Sequence, residues 1–355
     1  MPRKSTDTPK KQKVVQSDQK RKKKNDKKSK GKASVPRLRV SRFLVMFCLK
    51  TLLLIIFVTI LTSYLLMRYA LAPVSETRDI QGSYNEMFSE FPYLRHWTDS
   101  LNSHRALIDT TIYATDSTRL HALMIRAPKG TPNTAILIHG YTQNAVRMLH
   151  LAYMYNHDLR FNVLLPDLRH SGISEGDHVQ MGWNDQDDVR LWMDIANRRF
   201  GGHTRMVVHG VGMGAFTAMC LSGDKQPSYM KAYVEDDGYT SVHNILKYRM
   251  RRQFALPSYP LLNIASQMCQ WQYKWDFEEA CCKESLERST MPMLFIHGGG
   301  DTYVPTDMVY ELYQQKPRDK YIWVAPKATH ARTFQSNPSE YRHQVHSFLN
   351  MFLYK

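Results

Sequence analysis

Read as a pattern of apolar and polar positions, the chain falls into three regimes. The first 42 residues are almost wholly polar, with KKQKVVQSDQKRKKKNDKKSKGKAS at their centre. From Phe43 to Tyr69 the pattern inverts. FLVMFCLKTLLLIIFVTILTSYLLMRY is apolar all round, and Thr51 to Met67 carries no charge. At about 1.5 Å per residue this segment exceeds the roughly 30 Å of a bilayer's hydrocarbon, which predicts one membrane-spanning helix over 43–69. Lys50 lies toward the basic end, where its ammonium can snorkel to the interface. A polar, aromatic-bearing connector, partly helical, is expected over 70–105.

From residue 106 short apolar runs alternate with helix-length segments. Ala106–Ala114 and Arg119–Arg126 read as strands. Thr134–His139 is continuously apolar, as expected of a strand covered on both faces, and it ends in His139-Gly140-Tyr141-Thr142 before a helix reaching about Tyr155. Phe161–Pro166 leads into DLRHSG, and a helix is expected over Asp185–Arg199. Tyr229–Glu235 runs into DDGYT, Met291–His297 runs into GGGD, and Tyr321–Val324 precedes a terminal helix over Pro338–Phe352. Strands alternating with helices imply a parallel sheet with right-handed crossovers. Residues 241–289 interrupt the rhythm with an aromatic, helical stretch that includes Tyr248, Phe254, Trp271, Trp275 and Phe277. This stretch is placed to cap the carboxyl ends of the strands, where open α/β sheets bind ligands; plain helical packing is the alternative.

The most informative stretch is TRMVVHGVGMGA, Thr204 to Ala215. The β-formers Met206, Val207 and Val208 stop at a cluster of glycines, and a helix-compatible segment follows, so strand, tight turn and helix are expected in succession. Where such a turn reads G-x-S-x-G, its apical serine is a nucleophile. Here the apex is Gly212. A dinucleotide-binding turn would need G-x-G-x-x-G early in a βαβ unit with an acidic residue about twenty positions on, whereas the spacing here is G-x-G-x-G, deep in the chain. A purely structural turn stays open on these residues alone.

Charge changes the picture at one end only. The chain carries a net +16, but 17 basic against three acidic residues within 1–42 account for about +14 of it. The body is near neutral, whereas a nucleic-acid-binding body would carry its own basic face, so no nucleic-acid partner is expected. The tail over 1–42 has too little apolar surface to offset the entropy of ordering and is expected to be disordered. Attraction to anionic lipid or nucleic acid and a solvated topology signal are its two explanations. The positive-inside rule leaves the tail cytoplasmic and sends residues from about 73 onward across the membrane. Ala70-Leu71-Ala72 mimics a signal-peptide cleavage site, yet the apolar run and the basic region before it are longer than usual for one, which favours an uncleaved anchor. Of five cysteines, Cys48 falls in the anchor and Cys220 in the helix after the glycine turn. Cys269, Cys281 and Cys282 fall in the expected cap, on the oxidising side of a membrane, where one bridge from Cys269 and free thiols are both open.

The segments HGYT, PDLRHSGIS, HGVGMGA, VEDDGYTS, LFIHGGGDTYVP and ATHA, in this order, resemble the α/β-hydrolase superfamily, close to its serine aminopeptidase-like and feruloyl-esterase-like branches. The resemblance covers about 106–355. It implies an α/β-hydrolase fold, a mostly parallel central sheet flanked by helices, with the cap insertion at about 241–289. The family's nucleophile position falls on Gly212, its acid on Asp301 and its base on His330, in the chain order this fold uses. His330 would take the nucleophile's proton and Asp301 would orient the imidazole. The backbone amides of Tyr141 and Met213 would face the developing oxyanion.

Glycine has no side chain to attack with, so acyl-enzyme chemistry of the ordinary kind is not expected. Its tolerance of positive φ suits a turn that strains any residue with a Cβ. Ser171, Thr142 and Thr240 are weak substitutes on neighbouring loops, and a water activated by His330 is a further alternative. His139, His170, His209, His297 and His330 come from separate loops without ligand spacing, so no metal or other cofactor is expected. The purpose of Asp237, beside Asp236, is not derivable from sequence. The resemblance thus points to a membrane-anchored hydrolase-type protein with impaired chemistry that binds a small acyl, ester or peptide-like ligand. Membrane lipid would be contacted through 43–69 and the tail. The alternatives are an active hydrolase of ester or amide bonds using water or a non-standard nucleophile, and a function residing in the tail.

Overall fold

The computed structural model describes residues 41–72 and 75–353. The basic tail expected over 1–42 lies, apart from its last two residues, outside the described residues. The chain divides into two units, Met1–Ile56 and Phe57–Lys355. In the first, the described residues belong to helix α1 (Arg42–Leu71), whose most apolar 18-residue window has a mean hydropathy of 2.7 and is not buried against protein. It is one helix long and apolar enough to cross a membrane.

In the second unit α1 changes character. Its last turns bury Ser63, Met67 and Leu71, each large apolar side chain so buried contributing roughly 1.5–3 kcal/mol. The described part of the connector is more helical than its composition suggests. A 3₁₀ turn (Ser75–Arg78) is followed by α2 (Ile80–Glu90) and α3 (Tyr93–Ser103). The Asp79 side chain caps α2 by accepting from the Gly82 amide, and Leu94, Trp97 and Leu101 form the inward stripe of α3.

Eight strands follow: β1 (Leu107–Tyr113), β2 (Arg119–Ile125), β3 (Asn133–Ile138), β4 (Asn162–Pro166), β5 (Arg205–Val211), β6 (Met230–Asp236), β7 (Met293–Gly298) and β8 (Lys320–Ala325). They form one sheet in the order β1-β2-β4-β3-β5-β6-β7-β8. β1 and β2, and β2 and β4, pair antiparallel, and every other pair is parallel. The central strands β3, β4 and β7 are buried along their whole length, because helices cover both faces and leave no solvent side for polar alternation. α4 (Leu149–Tyr153) is flanked by a 3₁₀ turn (Ala145–Met148) and a π-turn (Met154–Asp158). α5 (Asp185–Arg199) and α6 (Met213–Ser222) follow β4 and β5, and α10 (Asp307–Gln315), α11 (Thr333–Ser336) and α12 (Pro338–Phe352) complete the layers.

Three helices lie between β6 and β7: α7 (Val242–Phe254), α8 (Leu261–Tyr273) and α9 (Lys283–Arg288). α7 and α8 form a cap, but α9 packs against α6 and α10 and so belongs to the body. The stretch expected at about 241–289 to cap the sheet thus includes one helix that packs on the body. Sequence alone could not separate α9, because Cys282 and Leu286 are as apolar as cap residues and only their neighbours differ. All five cysteines are free thiols, so of the two options for Cys269 the unbridged one is present.

The tightest packing lies where β5 turns into α6. A Cβ placed on Gly210 would fall 2.0 Å from the Gly214 carbonyl oxygen, and one on Gly214 would fall 2.2 Å from the carbonyl oxygen of Ile138 in β3. Backbone meets backbone at this crossing and no flexible side chain can yield. Gly214→Ala is expected to destabilise the body by at least about 1–3 kcal/mol, the usual cost of overpacking, measured as a lowered urea midpoint with unchanged slope. A wild-type midpoint would contradict the crossing.

Candidate active site

The loops after β3, β5, β6, β7 and β8 converge at the carboxyl end of the sheet. β5 ends at Val211 and α6 begins at Met213, so the reversal falls on Gly212 alone, at φ 56° and ψ −110°. Positive φ of this kind costs a residue with a Cβ about 1–3 kcal/mol. The turn is held from both sides: the Gly212 amide donates to the Asp236 carbonyl at 2.7 Å, and the Gly212 carbonyl accepts from the Phe216 amide at 3.1 Å. A Cβ built on Gly212 would lie 3.3 Å from Nε2 of His330 and 3.6 Å from its Cε1.

The His330 loop sits between β8 and α11. Its Nδ1 is 2.7 Å from Oδ2 of Asp301, and Asp301 is fixed in turn because its Oδ1 accepts from the amides of Tyr303 and Val304 at 2.7 and 2.9 Å. Gly212, Asp301 and His330, picked from three distant points of the sequence, are thus brought together. The amides of Tyr141 and Met213 are adjacent to this point and donate to no backbone carbonyl among the described residues.

Asp237, whose purpose the sequence left blank, joins three loops. It sits at φ 58° with its carboxylate fully buried. Oδ1 accepts from the Gly298 amide at 2.8 Å and Oδ2 from the Ala331 amide at 2.6 Å, while Oδ2 lies 4.0 Å from Nδ1 of His330. It therefore ties the end of β6 to the end of β7 and to the histidine loop. Burial pushes its carboxyl above the ordinary range, opposed by the His297 and His330 imidazoles. For His330, burial works against the charged form, yet the Asp301 hydrogen bond and the fields of Asp237 and Asp301 outweigh it and the pKa is raised above 6.5.

Asp237, Asp301 and His330 bring three potential ligand atoms within 4.8 Å of one another. Their lone pairs are already directed at the amides of Gly298, Ala331, Tyr303 and Val304 and at the imidazole, which is the pattern of a hydrogen-bonded brace. The other histidines serve the scaffold. His139 accepts from the Leu168 amide at 3.0 Å, His209 lies between the hydroxyls of Tyr155 and Tyr341, His297 faces the Val304 carbonyl at 3.1 Å, and His170 faces that of Gly176. Among the hydroxyls considered, Thr142 lines the space beside Gly212. The Thr240 hydroxyl accepts instead from the Asn244 amide nitrogen at 3.0 Å, and Ser171 is buried in its own loop.

Two cavities meet at Gly212, and Tyr141, Thr142, Tyr303 and His330 border both. The smaller, about 210 Å³, is polar, with Arg147 and Arg332 on its wall; these pair with Glu86 and Glu90. The larger, about 370 Å³, lies beneath α7 and α8 and is walled by Met213, Ile245, Met250 and Leu262. The last residues of α1 complete it, namely Leu66, Met67, Tyr69 and Ala70. Tyr303 stacks on the His330 ring at 4.8 Å, and the Arg249 guanidinium lies 3.8 Å over Tyr303. Neither Tyr303 nor Arg249 carries a periodic signal in the sequence, because cross-loop stacking has no fixed spacing.

No protein-family model matches this chain. The chain is 31% identical over 224 residues to the uncharacterized protein YqkD of Bacillus subtilis (strain 168), spanning 63% of this chain and 73% of that one. It is 24% identical over 242 residues to the uncharacterized protein YfhR of Escherichia coli O157:H7, spanning 66% and 78%. Among solved structures, the Pyrococcus furiosus esterase Pf2001 is similar with a TM-score of 0.57 at 23% identity, over 70% of this chain and 91% of that one. Est1E from Butyrivibrio proteoclasticus is similar with a TM-score of 0.53 at 15% identity, over 68% and 98%. A membrane phospholipase A, described as a bacterial virulence factor, is similar with a TM-score of 0.51 at 16% identity, over 74% and 92%. At these identities the structural likenesses establish the fold.

Because the folded-state pKa of His330 is raised, the stability its charge contributes is complete below the unfolded value of about 6.5 and is lost as pH rises through the folded value. Asp237→Asn removes one of the fields that raise it and sets an amide NH₂ against a backbone N–H, at a cost of about 1–3 kcal/mol. The variant should show a lower His330 pKa in an NMR titration together with a lower urea midpoint. An unchanged imidazole titration would contradict the role given to Asp237.

Proposed function

We propose, because this chain belongs to the α/β-hydrolase superfamily, that its body is a serine esterase- or peptidase-type scaffold in which the nucleophile's place is taken by Gly212. Its chemistry is impaired, and its role is to bind a small acyl, ester or peptide-like ligand in the cavities beside His330. One observation carries this: the point from which a nucleophilic side chain would spring lies 3.3 Å from Nε2 of His330, and the residue there is glycine. Loss of a triad nucleophile costs on the order of a millionfold in turnover, with roughly a thousand- to ten-thousandfold over water left to the oxyanion donors and binding.

The surviving groups keep a proton-handling geometry. Asp301 holds Nδ1 of His330, so Nε2 is the atom turned toward Gly212. That imidazole, with 25% of its side-chain surface accessible, supports a second reading in which it activates water for slow hydrolysis of an ester or amide held against the amides of Tyr141 and Met213. The two readings differ in rate and not in where the ligand sits.

Anchoring belongs to the same proposal. The apolar α1 spans the membrane once, the basic tail stays on the cytoplasmic side under the positive-inside rule, and the body faces the opposite compartment. The tail and residues 43–69 are the lipid contacts, and nucleic acid is not a partner.

Gly212→Ser is the direct test. The purified wild-type chain should resist a serine-directed fluorophosphonate and turn over short p-nitrophenyl esters at no more than about ten-thousandfold the rate in buffer. Gly212→Ser should take up the label and gain esterase activity on the order of a thousandfold or more, with Gly212→Ala silent. Fast turnover or labelling by the wild-type chain would overturn the impairment, and a silent Gly212→Ser variant that folds would mean the pocket no longer supports the chemistry. For the anchor, protease added outside intact cells should digest the body and spare the tail, with the chain resisting alkaline carbonate extraction. Digestion in the reverse order would overturn the orientation.

A further inference from the structure

The larger cavity has a wall that an esterase core does not itself provide. Leu66, Met67, Tyr69 and Ala70 come from the end of α1, the helix proposed above to cross the bilayer. They are locked to the body by the Tyr141 hydroxyl, which donates to the Ala70 carbonyl at 3.0 Å, by the Gln253 side chain, which donates to the Tyr69 hydroxyl at 2.9 Å, and by the edge of Tyr69 against Phe254 at 5.6 Å. From Phe43 to Met67 the apolar run is longer than the roughly 20 residues needed to span hydrocarbon. Leu66 to Ala70 therefore lie where hydrocarbon gives way to headgroups. Arg68 and Tyr69, and on the adjoining end of α7 the exposed Arg251, Arg252 and Phe254, are the basic and aromatic types that settle at that level.

The chemistry of the two cavities divides at Gly212. On the α1 side the walls are mostly aliphatic, thioether and aromatic; Arg249 is occupied over Tyr303, Gln253 donates to Tyr69, and Thr142 and His330 lie at the junction with the other cavity. On the other side Arg147 and Arg332, each beside a glutamate, offer both signs of charge. We propose that the larger cavity takes the hydrocarbon chain of an acyl amphiphile drawn from the bilayer, entering between the end of α1 and α7. Its carbonyl lies beside Gly212 and its polar headgroup occupies the smaller cavity near Arg147 and Arg332. This rests on the anchored, ligand-binding reading above and names the ligand class and its route. A small peptide lacks the uninterrupted apolar length that the α1-side cavity matches, and a ligand arriving from solution has no need of a wall made from the membrane helix.

The test uses the full chain in nanodiscs of phosphatidylcholine and phosphatidylglycerol doped with a phospholipid bearing a diazirine midway along one acyl chain. Photolysis should attach lipid to cavity segments of the body, the peptides containing Met181, Ile245 to Met250 and Leu262. Leu246→Trp and Ala70→Trp, which fill the cavity from two different elements, should each cut that labelling at least tenfold while a short-chain ester added from solution still competes at the smaller cavity. Labelling confined to residues 43–65, or unchanged in both variants, would overturn the proposal. Should the variants fail to fold, the unmodified chain decides: competition by lysophosphatidylcholines should strengthen by up to about fourfold per added methylene over short chains, and a flat dependence on chain length would overturn it. Neither readout involves hydrolysis. A wild-type chain that proves to be a fast esterase yet labels in the cavity would sink the impairment and leave this proposal standing, and an inert chain that labels only along α1 would do the reverse.

Discussion

The site depends on one backbone crossing. β5 must turn into α6 within a single residue, so tightly that a Cβ on Gly210 would strike the start of α6 and one on Gly214 would strike the end of β3. This proximity brings the amide of Met213 and the apex of the turn up to the β3 loop, where Tyr141 sits, and sets the apex against His330. Gly212 adds a third glycine for a different reason. Space for a Cβ is tight but present there, and the constraint is φ, which glycine meets without strain. A glycine at the apex thus relaxes the turn and leaves no side chain facing His330.

The histidine is held by more than its acid partner. Asp301 is fixed by two amides of its own loop, and Asp237 binds one amide of the β7 loop and one of the histidine loop. The imidazole's position is therefore over-determined, with two carboxylates on one side and the Tyr303 ring across its face. Such bracing is expensive, since Asp237 is buried and burial disfavours its charge. A buried carboxylate is tolerated when every oxygen has a donor, and here both oxygens do. The brace keeps the imidazole in place without reference to what stands at position 212.

The end of α1 links the two parts of the chain's chemistry. A helix that only tethered the body would leave its last turns solvated. Instead Met67 and Leu71 are almost wholly buried, and the Val179 amide donates to the Leu71 carbonyl at 3.0 Å. The body needs those turns to complete its core, and the larger cavity needs them for a wall. Removing the last turns of α1 would open that cavity to water.

Much of this was legible in the residues themselves. Strand and helix periodicity located all eight strands to within a few positions and predicted α5 and α12 at their observed bounds, because buried parallel strands are continuous apolar runs and long amphipathic helices repeat over many turns. The resemblance of six ordered segments to the α/β-hydrolase superfamily is what pointed to Gly212, Asp301 and His330, at the ends of strands where that family carries its reacting groups. Tertiary structure alone decided what depends on contacts between distant segments: the brace made by Asp237, the stack of Arg249 on Tyr303 and of Tyr303 on His330, the assignment of α9 to the body, and the use of Leu66 to Ala70 as a cavity wall. Each of these joins loops or helices far apart in the chain, and an interaction with no fixed spacing leaves no period to read.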